Sequence, residues 1–383
     1  MKYYDILVLG GGASGVVAAI KACEKGNQVA IIDKANKIAK KILVTGNGRC
    51  NLTNLNTTEK QYNVDISQFL NRFGVNDTLY FFDSIGLVTY ADEEGRVYPL
   101  SNSAKSVMDV LTNKLSAQNI DCFLEHNILK VEKWDDNFLV KTDKDEFLCK
   151  KVIVSLGGNF TTQILDIKGI NFIPSLVSLK VNISRNLSGC RISDAVVCVE
   201  DLHGNKMTER GEVLFKEKGI SGICIFNLSS LFARNKKFEG KLRMDLMPNY
   251  TGDTLLEMLQ KRRSLNVKVN KFFDGLLLSQ IGYEILNRIK LDEDKSSLNL
   301  TEAEIKQMAS LIKNLDYDIT GCLDNNQIFA GGIDLTQLTP NLEHKTIKNL
   351  YFTGEACNVD GLCGGYNLQW AWTSGYIVGE NIW

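Results

Sequence analysis

The segment Gly10-Gly11-Gly12-Ala13-Ser14-Gly15 follows the apolar run Tyr4-Asp-Ile-Leu-Val-Leu9 and precedes Val16, Val17, Ala19, Ile20 and Cys23 at helical spacing. A G-x-G-x-x-G set at a strand-to-helix turn is suited to holding a diphosphate. Gly10 permits the tight turn, Gly12 lets the backbone approach the phosphates, and Gly15 lets the helix pack on the sheet. The N–H groups at the helix start, those of Ala13 and Ser14 among them, then face the negative charge with the positive end of the helix dipole behind them. Gly26 ends this helix, and Val29-Ala-Ile-Ile-Asp33 reads as the second strand of a βαβ unit. Asp33, with Lys34 beside it, is placed to accept hydrogen bonds from an adenosine ribose.

That turn alone does not separate FAD from NAD, because both carry ADP. The other end of the chain does. Leu350-Tyr-Phe-Thr-Gly-Glu355 is a strand running into a glycine and an acid, followed by Asp360-Gly-Leu-Cys-Gly-Gly-Tyr-Asn-Leu368 and an apolar helix. A second glycine turn so far from the first is expected if one extended ligand touches both chain ends, as FAD does across a sheet. The opening of the last helix would then offer N–H groups to the flavin pyrimidine ring, where reduction places negative charge.

The elements between these turns must bring them together. Residues 67–120 read as helices near 67–85 and 103–118 joined by EEGRVYPLS, followed by strands over 121–131, 137–142, 146–149 and 151–156. Beyond Pro174 short alternating segments, Ser178–Ile183, Ala195–Val199 and Gly211–Phe215, indicate a β-rich domain. The stretch 251–315 is helical, with a capping box at Thr301 and Glu304. The expected division is therefore 1–172 with 327–383 as a discontinuous FAD-binding domain, 173–250 with 316–326 as a β-rich substrate domain, and 251–315 as a helical insert.

Bulk properties exclude several classes. In 383 residues, 44 basic against 45 acidic side chains give a net charge of -1, so the chain as a whole carries no electrostatic footprint for nucleic acid or an anionic membrane. No run reaches the roughly 18–20 apolar residues of a membrane span. No secretory signal is visible, and the ten cysteines lack any C-x-x-C pair, so reduced thiols in a cytoplasmic protein without a metal site are expected. Oligomeric state is not written in the sequence.

Lys41-Ile-Leu-Val-Thr-Gly-Asn-Gly-Arg-Cys-Asn-Leu-Thr-Asn54, Gly95-Arg-Val-Tyr-Pro99, LFKEKGISG at 214–222, FAGGIDL at 329–335 and Gly364-Gly-Tyr-Asn-Leu-Gln-Trp-Ala-Trp372 together resemble the BaiN/RdsA group of NAD(P)/FAD-dependent oxidoreductases, which includes aminoacetone-oxidase-like flavoproteins. The resemblance runs nearly the length of the chain. It implies an α/β fold in which a Rossmann-like FAD-binding domain is interrupted by a β-rich, barrel-like domain with a small helical insert. It also implies that Gly46, Asn47, Gly48, Arg49, Cys50 and Asn51, on one loop with Lys41 and Thr45, lie beside non-covalent FAD. Gly157, Gly354, Glu355, Asp360, Gly364, Gly365, Tyr366, Asn367 and Leu368 would complete the pocket. The chain departs from the group in a shortened loop after Gly158, in Ile223 where proline is usual and in Cys363 where threonine is usual, which reshapes the substrate side.

Four side chains in these segments could supply a proton, Cys50, Cys363, Tyr98 and Tyr366. The histidines, His126, His203 and His344, lie outside every motif. The activity implied is NAD(P)H-driven reduction, through flavin N5, of an activated carbon–carbon double bond in a small molecule. Three alternatives stay open. One is reduction of a ribosomal RNA uridine, for which Lys261, Arg262, Arg263, Lys268 and Lys271 are a candidate phosphate-binding stretch. The others are an oxygen-using amine oxidase and a non-catalytic flavin-bound redox sensor.

Overall fold

The computed structural model describes residues 1–159, 164–323 and 328–382. The chain divides into two compact units, Met1–Ile173 with Ile328–Trp383, and Pro174–Gln327. The first opens with β1 (Lys2–Leu9), α1 (Ala13–Glu24) and β2 (Val29–Ile32). It continues through β3 (Thr53–Asn54), α2 (Ser67–Leu70), α3 (Val75–Ser84), β4 (Thr89–Ala91), β5 (Arg96–Pro99) and α4 (Ala104–Ala117). Then come β6 (Asp121–Phe123), β7 (Ile128–Trp134), β8 (Asn137–Thr142), β9 (Glu146–Val154) and β10 (Ile170–Ser175).

The second unit is a closed antiparallel barrel of six strands, β11 (Leu179–Val181), β12 (Arg191–Asp201), β13 (Lys206–Lys216), β14 (Gly219–Ser221), β15 (Gly240–Asp245) and β16 (Leu315–Cys322), in the order β11-β14-β13-β12-β15-β16. Helix α5 (Ile223–Arg234) was not foreseen. Its Cys224, Ile225, Leu228, Phe232 and Ala233 are all buried. Between the paired strands β15 and β16 the chain makes α6 (Gly252–Arg263), α7 (Ser279–Arg288) and α8 (Glu302–Lys313), whose buried side chains join the barrel's single hydrophobic cluster. The Thr301 capping box is present, with the Glu304 N–H donating to Thr301 Oγ1 (3.2 Å) and the Thr301 N–H donating to Glu304 Oε2 (2.7 Å).

The return segment adds β17 (Ile328–Gly332), which pairs with β10, then β18 (Leu350–Phe352) and α9 (Tyr366–Asn381). The main sheet runs β6-β2-β1-β9-β8-β7, with β18 also on β9. Its centre is parallel, and Ile6, Leu7, Val8 and Leu9 of β1 are fully buried, as a strand covered on both faces requires. The two strands expected at 146–149 and 151–156 are one. One edge of β9 is taken by β1, while the other takes β8 antiparallel at Glu146–Cys149 and β18 parallel at Val152–Val154. The strand expected over 121–131 is instead two, broken by a left-handed Glu125 (φ 55) whose N–H donates to Ala35 O. EEGRVYPLS folds as part of a three-stranded sheet, β3-β5-β4. The shortened loop after Gly158 includes residues 160–163, which lie outside the described residues. Among the described residues no helix is long and apolar enough to cross a membrane.

His344 is 7% exposed, and its Nδ1 accepts the Ile347 N–H (3.2 Å) and lies 3.1 Å from Thr346 Oγ1. Burial holds its pKa below the ordinary 6.5. A lowered folded pKa means that the His344 contribution to stability is complete above pH 6.5 and is lost as pH falls through the lowered value. Replacing His344 with glutamine is therefore expected to flatten the decline in urea midpoint just below pH 6.5, before carboxylates begin to titrate.

Candidate active site

The three glycines of the turn sit in different surroundings. Gly10 has φ +103, and a Cβ there would lie 2.7 Å from the carbonyl carbon of Ser155 at the end of β9, so only glycine fits. A Cβ on Gly15 would collide with the Gly10 carbonyl oxygen. Gly12 is different: φ is -77, and nothing lies within 4 Å of where its Cβ would stand. Gly12 is also the N-cap of α1, with no capping side chain and no acid in the first turn, so the helix start presents backbone donors to open space. Asp33 is oriented by the Gly11 and Ala35 N–H groups, which donate to its two oxygens at 2.6 Å each. A carboxylate so held keeps lone pairs for ribose hydroxyls. Lys34 is exposed next to it.

The loop after β2 links this turn to the rest of the site. The Ala39 N–H donates to Gly11 O at 2.7 Å. Further on, Gly46, Asn47, Gly48 and Cys50 all have positive φ, and the Cys50 N–H donates back to Thr45 O at 3.1 Å. This turn buries Cys50 completely, and burial pushes its thiol up to about 12 despite a hydrogen bond with Thr45. Arg49 is exposed. Its guanidinium lies 4.4 Å over the Tyr98 ring, and its Nη2 is 3.5 Å from the Tyr98 hydroxyl.

Arg96, two residues before Tyr98 and thus on the same face of β5, escaped the reading of the sequence although it sits inside Gly95-Arg-Val-Tyr-Pro99. Asp92 (2.8 Å) and Glu94 (2.7 Å) hold its guanidinium. Its charge acts on three of the four proton-donor candidates. Burial raises the pKa of Tyr98, of Tyr366 and of Cys363, the last to about 11, and in each case Arg96 opposes the rise. Tyr98 is 3% exposed, whereas Tyr366 and Cys363 are half-buried and accessible.

Helix α9 begins at Gly365 (φ +99), again with no capping side chain. A Cβ on Gly365 would stand 2.7 Å from the Thr53 carbonyl and 2.9 Å from Asn51 Oδ1, so this helix start is seated on the 50–54 segment. The seat is fixed by Asn54 Nδ2 donating to Gly364 O (3.2 Å), Trp372 Nε1 donating to Leu52 O (2.8 Å) and Thr53 Oγ1 donating to Gln369 Oε1 (2.6 Å). Asn367 spends its side chain locally, accepting the Gly361 N–H and donating to Gly361 O, both at 2.8 Å. Asp360 is likewise built into the chain, its N–H donating to Asn63 Oδ1 at 2.9 Å and its carbonyl accepting the Asn63 N–H. Leu368 is half-buried in the first turn of α9.

The two helix starts belong to one assembly. Gly375 and Gly379 bring α9 against α1, where a Cβ on the first would fall on the Ser14 carbonyl and one on the second would lie 2.5 Å from Ala18 O. The turn after β18 also closes on α1: a Cβ on Gly354 would be 2.6 Å from Ser14 Oγ, while Trp370 Nε1 donates to Gly354 O at 3.0 Å. Glu355 faces the end of β9, accepting the Gly158 N–H (2.9 Å) and pairing with Lys41 (3.5 Å), with Gly157 alongside. The open turn at Gly12 and the α9 start without a capping side chain leave backbone donors that fit an FAD-sized dinucleotide.

The basic stretch of the second unit is largely consumed within the fold. Arg262 donates to Phe272 O (2.9 Å) and Asp274 O (2.7 Å), and Arg263 to Leu298 O (3.5 Å). Lys268 pairs with Asp294 (2.7 Å) and Lys271 with Asp274 (3.7 Å), while Lys261 is exposed.

The model of the HI0933-like protein Rossmann domain matches residues 4–381. Over 97% of both chains the sequence is 32% identical to the 3-dehydro-bile acid delta(4,6)-reductase of Clostridium scindens. It is 26% identical to the ribosomal RNA dihydrouridine synthase of Haemophilus influenzae, over 100% of this chain and 99% of that one. Among solved structures, 3-ketosteroid delta1-dehydrogenase from Sterolibacterium denitrificans shares the fold with a TM-score of 0.53 at 12% identity, over 100% of this chain and 99% of that one. The chain belongs to the HI0933-like Rossmann-domain family, the FAD-dependent oxidoreductases that its motifs resemble.

Proposed function

We propose that this protein reduces an activated carbon–carbon double bond in a small molecule, drawing electrons from NAD(P)H through non-covalently bound FAD. The observation that carries this reading is the assembly of two uncapped helix starts, at Gly12 and Gly365, within one unit. FAD, when bound, supplies a two-electron carrier that takes hydride from a nicotinamide and passes it to an electron-poor carbon. Gly12, Ala13 and Ser14 would hold the diphosphate, Asp33 the ribose, and the start of α9 with the 45–51 loop the ring. Lys41 and Glu355 brace the rim between them.

The chain's own part in the chemistry is to hold charge and deliver a proton. Tyr366 is the donor we favour, because its phenol stays protonated by burial, is accessible, and has the Arg96 charge near enough to ease proton loss. Arg49, stacked on Tyr98, offers its remaining N–H groups to a substrate oxygen. In this reading the second unit is a substrate domain, and the protein works in the cytoplasm, where nicotinamide dinucleotides are at hand.

The name of the 32% identical bile-acid reductase supports the small-molecule version. Uridine reduction in ribosomal RNA is the second reading, favoured by the names of relatives at 26% and 24% identity. Against it, lysines and arginines already bonded within the fold release few counterions on meeting a phosphate backbone.

The test is anaerobic stopped-flow reduction of the yellow protein by NADH and NADPH, followed by reoxidation with an enone, ribosomal RNA or oxygen. Bleaching by a nicotinamide and fastest reoxidation by the enone are expected. Failure of both nicotinamides to bleach the protein faster than buffer removes the mechanism, and fastest reoxidation by RNA or oxygen transfers the assignment to the corresponding alternative.

A further inference from the structure

We propose that Arg96 is a catalytic residue, its free guanidinium N–H groups donating to the substrate carbonyl that activates the double bond; this rests on the double-bond reduction read above. Arg96 is gripped on one side only. Nε donates to Asp92 Oδ2 (2.8 Å) and Nη2 pairs with Glu94 (2.7 Å), while Asp92 Oδ1 accepts the backbone N–H groups of Glu94 (3.0 Å) and Arg96 (2.9 Å). The acid that clamps the guanidinium therefore also fixes the turn that carries it. Of the N–H donors in the fork, the pair on Nη1 has no partner among the described residues, and the side chain is 23% exposed, so a ligand can reach it.

Strand register shows where these donors stand. Residues directly opposite one another in an antiparallel pair share a face. Asn54 stands opposite Arg96 and Tyr90 opposite Tyr98, and the Asn54 side chain donates to Gly364 O at 3.2 Å. The face of the β3-β5-β4 sheet that carries Arg96 and Tyr98 thus looks onto the turn holding Cys363 and Tyr366.

Reducing an activated double bond uses both groups. Hydride arriving at the β carbon makes one C–H bond and drives the double-bond pair towards the carbonyl, whose oxygen takes the negative charge. Tyr366 gives its proton to the α carbon, making the second C–H bond as the carbonyl re-forms, and water reprotonates the phenolate. A donor fixed beforehand at that oxygen stabilises the charge as it appears. Asp92 and Glu94 already answer the charge of Arg96, so a carboxylate gains little there, whereas a neutral carbonyl takes the free N–H groups. Arg49 is exposed over the Tyr98 ring, held by no acid among the described residues, and is left for an oxygen elsewhere on the substrate.

The probe is cyclohexenone, isotope-labelled at its carbonyl carbon. Bound to the oxidised holoprotein, where no turnover occurs, its carbonyl stretch is expected to move to lower wavenumber in isotope-edited infrared spectra, and Arg96→Gln should abolish that shift. Tyr366→Phe should keep it, which separates the donor to oxygen from the donor to carbon. After reduction with dithionite, reoxidation of Arg96→Gln by saturating cyclohexenone should be about 10²–10³-fold slower than native, the worth of one such donor. A native shift or a native rate in Arg96→Gln overturns the assignment, as does faster reoxidation of the native protein by cyclohexenecarboxylate than by the enone, and each leaves the double-bond reduction standing. Native protein that the enone does not reoxidise brings down the reduction reading, and this assignment with it. Melting curves show whether the variant folds; if Arg96→Gln does not, Asp92→Asn/Arg96→Gln, which also removes an acid left unpaired, takes its place.

Discussion

Gly12→Ala apoprotein is expected to melt at the native temperature and yet to bind FAD about 10–100-fold more weakly. The backbone at Gly12 is already one that alanine adopts, with φ -77, and no atom lies within 4 Å of the added methyl. The substitution thus leaves the fold untouched and occupies only the space over the helix start. Forcing a methyl into a filled site costs about 1–3 kcal/mol, which at 1.4 kcal/mol per factor of ten spans about 5- to 140-fold and brackets that expectation. Gly15→Ala is the counterpart, because its Cβ meets the Gly10 carbonyl inside the protein. That variant should lose stability whether or not cofactor is present. Calorimetry of both apoproteins and a flavin titration of Gly12→Ala check the pair, and native affinity in Gly12→Ala would remove the diphosphate from this turn.

Tyr366→Phe should separate the two halves of the catalytic cycle. Reduction of the protein by NAD(P)H needs no proton from Tyr366 and should proceed at the native rate. Reoxidation by an enone should slow by about 10²–10⁴-fold, the usual worth of a positioned acid. Cys363→Ala, made on the neighbouring half-buried thiol, is expected to change reoxidation little. If the two variants behave the other way round, the thiol is the donor. The ring of phenylalanine keeps the edge contact with Tyr62, and the Tyr62 hydroxyl bonds the backbone of residue 366, so the start of α9 should be preserved.

Local chemistry was legible in the sequence wherever neighbouring residues determine it. The tight turn at Gly10 and the close packing at Gly15 follow from a strand, a turn and a helix in immediate succession, and the Thr301 capping box from a four-residue pattern. What depends on partners far along the chain was not legible. Nothing in Glu146–Val154 says that one edge of the strand serves two partners of opposite direction, so it reads as two strands. Helix α5 buries the polar Asn227, Ser229 and Ser230 along with its apolar side chains, so its polar residues do not mark a solvent-facing side. The seating of Gly365 on Asn51 and Thr53, and the charge of Arg96 acting on Tyr366, link segments that no local motif joins.

The order of the chain has a consequence for how the protein is made. The barrel unit is a continuous run from Pro174 to Gln327, whereas the other unit waits for β18 and α9. On the ribosome the barrel can therefore finish while the nucleotide-holding half still lacks its last strand and helix, leaving the outer edge of β9 and the α9-facing side of α1 uncovered. Nascent chains arrested once Cys322 has cleared the ribosome should yield a protease-resistant barrel fragment and a labile amino-terminal portion. The half translated first would then be the last to mature.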